Sequence, residues 1–134
     1  MTATVPVITA TYAAILGILG ALLTVNVIVN RVKAKVDAGD GGVAKLAQAI
    51  RAHANFAEQA PITLIVIAFA ESQGTRGLFV HILCLALLIA RLASAYALNR
   101  TLGQSPSRQF AASVNALTIV LASVAILLAM GGVM

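Results

Sequence analysis

The sequence predicts an all-α integral membrane protein built as a bundle of four transmembrane helices. Of its 134 residues, 60% are hydrophobic and 10% are charged, whereas about a quarter of the residues in soluble domains are charged. Four segments are long and apolar enough for a helix across about 30 Å of hydrocarbon. The charged residues gather at one end of this bundle. Because the four segments use most of the chain, we expect residues 1–134 to form a single domain.

Helix 1 is predicted over residues 5 to 30. Its apolar run is longer than the core of a signal peptide and no basic residue precedes it, so we expect a permanent helix. The connection that follows, from Arg31 to Ile50, contains Gly39-Asp40-Gly41-Gly42, a cluster of residues that favour turns.

Helices 2 and 3 are predicted over residues 51 to 71 and 77 to 98. Only twelve residues separate Glu58 from Glu71, which is too few to cross a bilayer. Helix 2 therefore spans only if the polar run beginning at Arg51 is helical, and by the same reasoning helix 3 must include Arg91. Pro61 lies inside helix 2 and predicts a kink there.

Helix 4 is predicted over residues 109 to 133. Pro106 fits its start, because the first turn of a helix leaves its N–H groups unpaired and a missing one costs little. The apolar segments of the chain are then joined by three connections.

The basic residues predict the orientation of the bundle. The first connection holds Arg31, Lys33, Lys35 and Lys45, and the third holds Arg100 and Arg108, whereas the middle one offers only Arg76 against Glu71. The positive-inside rule puts the first and third connections in the cytoplasm. Both chain termini then face outward.

Other residues exclude several kinds of site. The net charge of +5 is not arranged on an exposed stripe with aromatic residues, so we expect no nucleic acid partner. Cys84 is the single cysteine and lies in an apolar run, so it is interpreted as a small buried residue. His53 and His81 fall on different helices at opposite depths, and we expect no metal site.

A stripe of polar residues on helix 2 is the strongest candidate for a functional site. Arg51, Asn55 and Glu58 follow the i, i+4, i+7 spacing and share one helix face. Ionisable groups inside a membrane helix are costly and usually face a cavity or a partner. The stripe therefore predicts a ligand site or a buried polar network.

Depth along the hairpin of helices 2 and 3 predicts the partners of this stripe. Glu58 lies sixteen residues before the turn at Gly74, and Arg91 lies seventeen after it, which places them at nearly the same depth. We expect the two side chains to lie within salt-bridge or one-water distance of each other. The same count puts Asn55 level with Ser94.

Cations outnumber anions in this region, since Arg31, Arg51, Arg91 and Arg108 face Glu58 alone. This surplus favours a small acidic, zwitterionic ligand that enters from the cytoplasm. Two structural interpretations stay open. The terminal cations can set the topology or bind lipid headgroups, and the inner residues can form a network that joins the helices.

The segment from Arg51 to Pro61, Arg-Ala-His-Ala-Asn-Phe-Ala-Glu-Gln-Ala-Pro, resembles the signature of the MAPEG family, the membrane-associated proteins of eicosanoid and glutathione metabolism. The resemblance extends along nearly the whole chain and is to the small bacterial branch of the family. It also includes the following features: Gly39-Asp40-Gly41-Gly42, Glu71, Gly74, His81 and Arg91-Leu92.

The resemblance implies a homotrimer with a glutathione site in each subunit interface, open to the cytoplasm. The glutathione contacts that it implies are Arg31, Arg51, Asn55, Glu58 and Arg91. It assigns Arg108 to the stabilisation of the glutathione thiolate, or Arg100 if gaps shift the alignment. Leu98 replaces a tyrosine found in eukaryotic members. Tyr96 is therefore the nearby phenol that we include in the site, although it lies about 140° around helix 3 from Arg91.

We therefore expect a glutathione-dependent transferase or peroxidase of the bacterial inner membrane that acts on lipophilic electrophiles, with glutathione as cosubstrate. Its other contacts are membrane lipid and its own copies. The alternative is a noncatalytic membrane protein that binds an acidic small molecule or lipid headgroup. A third interpretation, an exporter with Glu58 as proton carrier, is disfavoured because neighbouring arginines hold this carboxylate ionised.

Overall fold

Four α-helices make up the computed structural model, which describes residues 5–132. They are α1 (Val7–Ala34), α2 (Ala44–Ser72), α3 (Gly77–Leu98) and α4 (Pro106–Met130). Within residues 5–132 no strand occurs, which confirms the all-α prediction. The last residue predicted for helix 4, residue 133, lies outside the described part of the chain.

The helices alternate in direction, as hydrogen bonds between them show. Glu71 near the end of α2 bonds Thr9 in the first turn of α1, so these two helices are antiparallel. Asn26 in the second half of α1 bonds Asn99 just after α3, so α1 and α3 are parallel. Both α1 and α4 pack on the central pair α2 and α3, and over the described residues they do not touch each other.

Three of the helices, α1, α3 and α4, are long and apolar enough to cross a membrane. The 29 residues of α2 are equally long, but its first half is polar. The prediction that the run from Arg51 to Glu58 is helical is confirmed, and α2 continues through Pro61. Its length matches the helices on either side, so α2 accompanies them along their whole span.

The predicted start of helix 2 at residue 51 is wrong, because α2 begins at Ala44. Leu46, Ala49 and Ala52 are buried at helical spacing, and alanine, leucine, lysine and glutamine are strong helix formers. The prediction relied on hydropathy, which detects only the part of a helix that lies in lipid. It therefore did not detect the part of α2 before residue 51. The first connection is correspondingly shorter than predicted.

The other helix boundaries agree with local chemistry. Helix α3 begins and ends where predicted. Pro106 occupies the first turn of α4, and the Ser105 side chain caps this helix by accepting a bond from the Arg108 backbone N–H. A serine before a proline at this position is a strong helix start signal.

Apolar side chains of all four helices fill the core. Its main cluster is formed by Leu16, Ile67, Val80, Leu83, Cys84, Leu87 and Ala122. Cys84 is fully buried within it, which confirms its interpretation as a small buried residue. A second, smaller cluster of Leu23, Ala52 and Leu98 lies nearer the end that carries the polar stripe.

Candidate functional site

A cavity of about 560 Å³ opens between α2, α3 and α4, at the end of the bundle where α4 begins. Its volume lies in the range of small-molecule sites. The residues that line it are Asn55, Gln59, Arg91, Ser94, Gln104, Ser105, Arg108, Gln109, Ala112, Asn115, Ala116 and Ile119. Two of these described residues are arginines and none is acidic. The cavity wall is therefore positively charged.

Arg91 is the most buried charge of the cavity, with 2% of its surface exposed. Its Nη1 donates to Asn55 Oδ1 over 3.0 Å, and Ser94 Oγ donates to the same oxygen over 2.7 Å. The prediction that Asn55 and Ser94 lie level is confirmed. Arg91 Nε is buried and has no hydrogen-bond partner in the protein.

Glu58 and Arg91, which were predicted to lie within salt-bridge or one-water distance, form no direct ion pair among the described residues. Glu58 instead pairs with Arg51 at 3.3 Å, and the two side chains are about half exposed, at 53% and 48%. The depth argument placed Asn55 level with Ser94 correctly, but it carried no information on rotation about the helix axis. Asn55 is the residue of the stripe that faces α3 and takes the contact with Arg91.

Arg108 lines the cavity from the first turn of α4. Its Nη1 donates to the carbonyl oxygens of Leu102 and Gly103, each over 2.7 Å, so the side chain also orders the connection before its helix. Arg100 lies outside the cavity, with its guanidinium carbon 4.7 Å from the centre of the Tyr96 ring. Tyr96 is 58% exposed and does not line the cavity.

Arg31 lies near the end of α1 and holds the first connection. Its Nη1 donates to Gly39 O over 2.8 Å and approaches Val36 O at 3.4 Å. Within one chain the structure therefore brings together three of the seven predicted site residues, Asn55, Arg91 and Arg108. The others lie apart from the cavity: Arg31, Arg51, Glu58 and Tyr96.

Two cavity residues, Gln59 and Asn115, were not singled out from the sequence. Asn115 is 3% exposed, and its Nδ2 donates to Gln59 Oε1 over 2.8 Å. Asn115 Oδ1 has no partner in the protein. A signal for both was present, because Gln59 follows Asn55 by four residues and Asn115 follows Arg108 by seven, and these spacings keep residues on one helix face.

Comparison of the sequence with models of known protein families finds a match. The sequence model of the MAPEG family matches residues 9–128. The chain belongs to the MAPEG family. The match includes every residue that lines the cavity, so the cavity is part of the MAPEG domain.

A curated relative is a bacterial inner membrane protein. Inner membrane protein YecN of Escherichia coli K12 is 34% identical over 95 residues, which make up 71% of this chain and 72% of YecN. YecN of the O6:H1 strain CFT073 matches equally. No solved structure matches the chain significantly.

The cavity has the chemistry of an anion site. Arg91 and Arg108 supply charge, and Ser94, Gln104 and Gln109 supply neutral polar groups. An arginine presents a planar fork of donors that suits a carboxylate. The arrangement can therefore hold a small polar molecule with negative charge, and it requires no bound metal to do so.

Proposed function

We propose that this MAPEG protein is a glutathione-dependent transferase or peroxidase that acts on lipophilic electrophiles. The observation that carries the proposal is the cavity beside Asn55, where Arg91 and Arg108 lie in the wall and none of the described lining residues is acidic. Glutathione has two carboxylates and one ammonium group, so it carries the net negative charge that this wall would neutralise.

The chemistry that we assign to the cavity is activation of a thiol. A thiol with a pKa of about 8.5 is mostly protonated at neutral pH, and a nearby cation favours the thiolate, which is the nucleophile. Arg108 supports this role because it lines the cavity, whereas Arg100 stacks on Tyr96 outside it. In conjugation the thiolate sulfur forms a bond to the electrophilic atom of the second substrate, while the bond from that atom to its leaving group breaks and the leaving group departs with the electron pair.

We propose that the protein works as a homotrimer in the bacterial inner membrane. Arg51 and Glu58 form a half-exposed ion pair on a helix that accompanies three apolar ones, and exposure of charge to lipid is costly. A neighbouring subunit packed over this pair would shield it and bring Arg51, Glu58 and Arg31 into a shared site. Light scattering should then give a protein mass three times the 13.7 kDa of one chain.

The alternative is a noncatalytic protein that binds an acidic small molecule or a lipid headgroup in the same cavity. One observation favours it. Arg108 Nη1 is already bonded to two carbonyl oxygens of the preceding connection, which is the geometry of a residue that orders a loop. Thiolate formation separates the two functions, since a headgroup site has no reason to ionise a thiol.

The test is a glutathione titration of the purified protein in detergent, followed by thiolate absorbance and by calorimetry. Wild type should bind glutathione and show a thiolate signal at neutral pH. Asn55→Ala should weaken binding, because it removes the acceptor that orients Arg91 and Ser94. Absence of glutathione binding by wild type would overturn the proposal.

The matched pair Arg108→Ala and Arg100→Ala tests the thiolate assignment. Arg108→Ala should raise the pKa of the bound thiol and slow conjugation with a chromogenic electrophile, while affinity for glutathione changes much less. Arg100→Ala should behave as wild type. Loss of the thiolate signal in the Arg100 variant alone would assign thiolate stabilisation to Arg100. A thiolate signal that persists in both variants would show that Arg108 does not stabilise the thiolate.

A further inference from the structure

The inner end of the cavity differs in chemistry from the end that carries the arginines. Gln59 lies four residues beyond Asn55 on α2, and Asn115 lies seven beyond Arg108 on α4. At 1.5 Å per residue these steps are about 6 Å and 10 Å toward the middle of the membrane. The charged end thus gives way to a neutral amide pair.

This amide pair has unused hydrogen-bonding capacity. Asn115 Nδ2 donates to Gln59 Oε1, which leaves the buried Asn115 Oδ1 without a protein partner. A buried polar atom without a partner costs about 1–3 kcal/mol. In either orientation of the two amides, the bond between them leaves one amide oxygen as a free acceptor and the NH₂ group of the other amide as a free donor group.

The cavity wall beside the amide pair is apolar. Ala112, Ala116 and Ile119 of α4 complete this part of the wall. Ala112 and Ala116 are exposed, and Gln59 and Asn115 line the cavity beside them. Asn115 is 3% exposed, so a molecule in the cavity reaches its oxygen when the side chain turns toward the cavity. A ligand for this end should have an apolar body.

We propose that Gln59 and Asn115 bind the second substrate, and that they select lipophilic molecules with a hydroxyl group. A hydroxyl donates to the free acceptor and accepts from the free donor, so it satisfies both amides. No described cation lines this end, and the carboxylates of glutathione are better placed at Arg91 and Arg108. The inference rests on the proposed function only in assigning this molecule the place of second substrate.

The test uses two unreactive probes, 4-nitrobenzyl alcohol and its methyl ether, titrated by saturation-transfer NMR into the detergent-solubilised protein without glutathione. The probes share an aromatic body, and only the alcohol can donate. Wild type should bind the alcohol about 10-fold more tightly than the ether, the factor that one satisfied buried acceptor provides. Equal affinities would overturn the proposal.

The double variant Gln59→Leu/Asn115→Leu should bind the two probes equally. Replacing both amides avoids leaving either one unpaired and keeps the size of the side chains similar. Thr118→Val is the matched control, because Thr118 is buried on the same helix but bonds its own backbone at Val114 O. The control should keep the preference for the alcohol. If the double variant still prefers the alcohol to the ether, residues other than Gln59 and Asn115 cause the selectivity.

A third variant covers the case in which the double variant does not fold. Ala116→Leu places a larger apolar side chain at an exposed position of the wall and leaves both amides in place, so it should fold and should weaken both probes at least 5-fold. Unchanged alcohol affinity would place the probe outside this end of the cavity.

A parallel glutathione titration separates this inference from the proposed function. If the protein binds glutathione but binds the alcohol and the ether equally well, the inference about the amide pair is wrong and the proposed function is supported. If the protein prefers the alcohol but does not bind glutathione, the inference is supported and the proposed function is wrong. The amide pair would then be a hydroxyl-binding site unconnected with thiol chemistry.

Discussion

Two carboxylates on α2 lie in opposite environments. Glu71 is buried and accepts hydrogen bonds from the backbone N–H groups of Ile8 and Thr9 and from Thr9 Oγ1, at 2.6 to 2.9 Å. Helix starts leave such N–H groups unpaired and carry partial positive charge, so Glu71 caps α1 from another helix. Glu58 is half exposed and pairs with Arg51. The first carboxylate serves the fold, and the second is available to a ligand or a neighbouring subunit.

Glu71→Ala should therefore destabilise the protein, whereas Glu58→Ala should not. Removal of the cap leaves the first turn of α1 unpaired in an apolar setting, and we expect a loss of about 2–3 kcal/mol in the free energy of unfolding. The half-exposed pair of Glu58 should contribute about 1 kcal/mol at most. Unfolding followed by circular dichroism in detergent measures both, and equal losses would contradict the distinction.

At the scale of elements, α2 is bonded to each of the other helices through a different residue. Glu71 binds α1, Gln59 binds Asn115 of α4, and Asn55 binds Ser94 of α3. These polar contacts occupy successive levels along one helix. They explain why α2 is less apolar than its neighbours, since its polar groups face partners within the bundle as well as the exposed stripe.

At Gly20, α1 lies in close contact with the Phe56 ring of α2. A Cβ at this position would lie 2.9 Å from Cε1 of Phe56, and Phe56 packs against both apolar clusters of the core. At Gly17, one turn earlier on α1, a Cβ would meet nothing within 4 Å. The two glycines thus have the same helical setting and different neighbours.

Gly17→Ala should leave stability unchanged or raise it by up to about 1 kcal/mol, because alanine favours helix over glycine. Gly20→Ala gains the same propensity but must displace the Phe56 ring, which costs about 1–3 kcal/mol. We expect a lower melting temperature for Gly20→Ala than for Gly17→Ala. Phe56→Leu in the Gly20→Ala background should reduce the difference, and identical melting of the two alanine variants would contradict the close contact.

At the scale of the whole molecule, the two ends of the bundle are chemically different. The end that carries the first and third connections holds Arg31, Lys33, Lys35, Lys45, Arg100 and Arg108. The cavity opens at this same end. From the positive-inside rule we expect this end to lie in the cytoplasm. Under the proposed function a water-soluble cosubstrate would then reach the arginines directly, and a lipophilic partner would arrive through the membrane.

Cysteine labelling tests this orientation, with a low background because Cys84, the single native cysteine, is fully buried. Asp37 and Gly131 are exposed at opposite ends of the bundle. In intact spheroplasts a membrane-impermeant maleimide should label Gly131→Cys, and it should label Asp37→Cys only after permeabilisation. The reverse pattern would invert the topology and place the cavity mouth on the outer face.

The sequence by itself determined the fold class, because hydrophobic segments of bilayer length have few alternatives to spanning helices. It also indicated that the run from Arg51 to Glu58 is helical and that Asn55 lies level with Ser94, since both follow from the rise per residue. It predicted Cys84 as a buried residue. These features depend on position along a helix.

Rotation and packing of the helices were decided only by the tertiary structure. The angle of α2 about its axis directs Asn55 to Arg91 and turns Glu58 away to Arg51, although both residues belong to one stripe. Likewise, the cap of α1 by Glu71 joins positions 62 residues apart. The depth of a residue follows from counting residues along its own helix, because each residue adds the same rise. The partner of its side chain depends on how all the helices are rotated and packed, and residue spacing within one helix does not specify this.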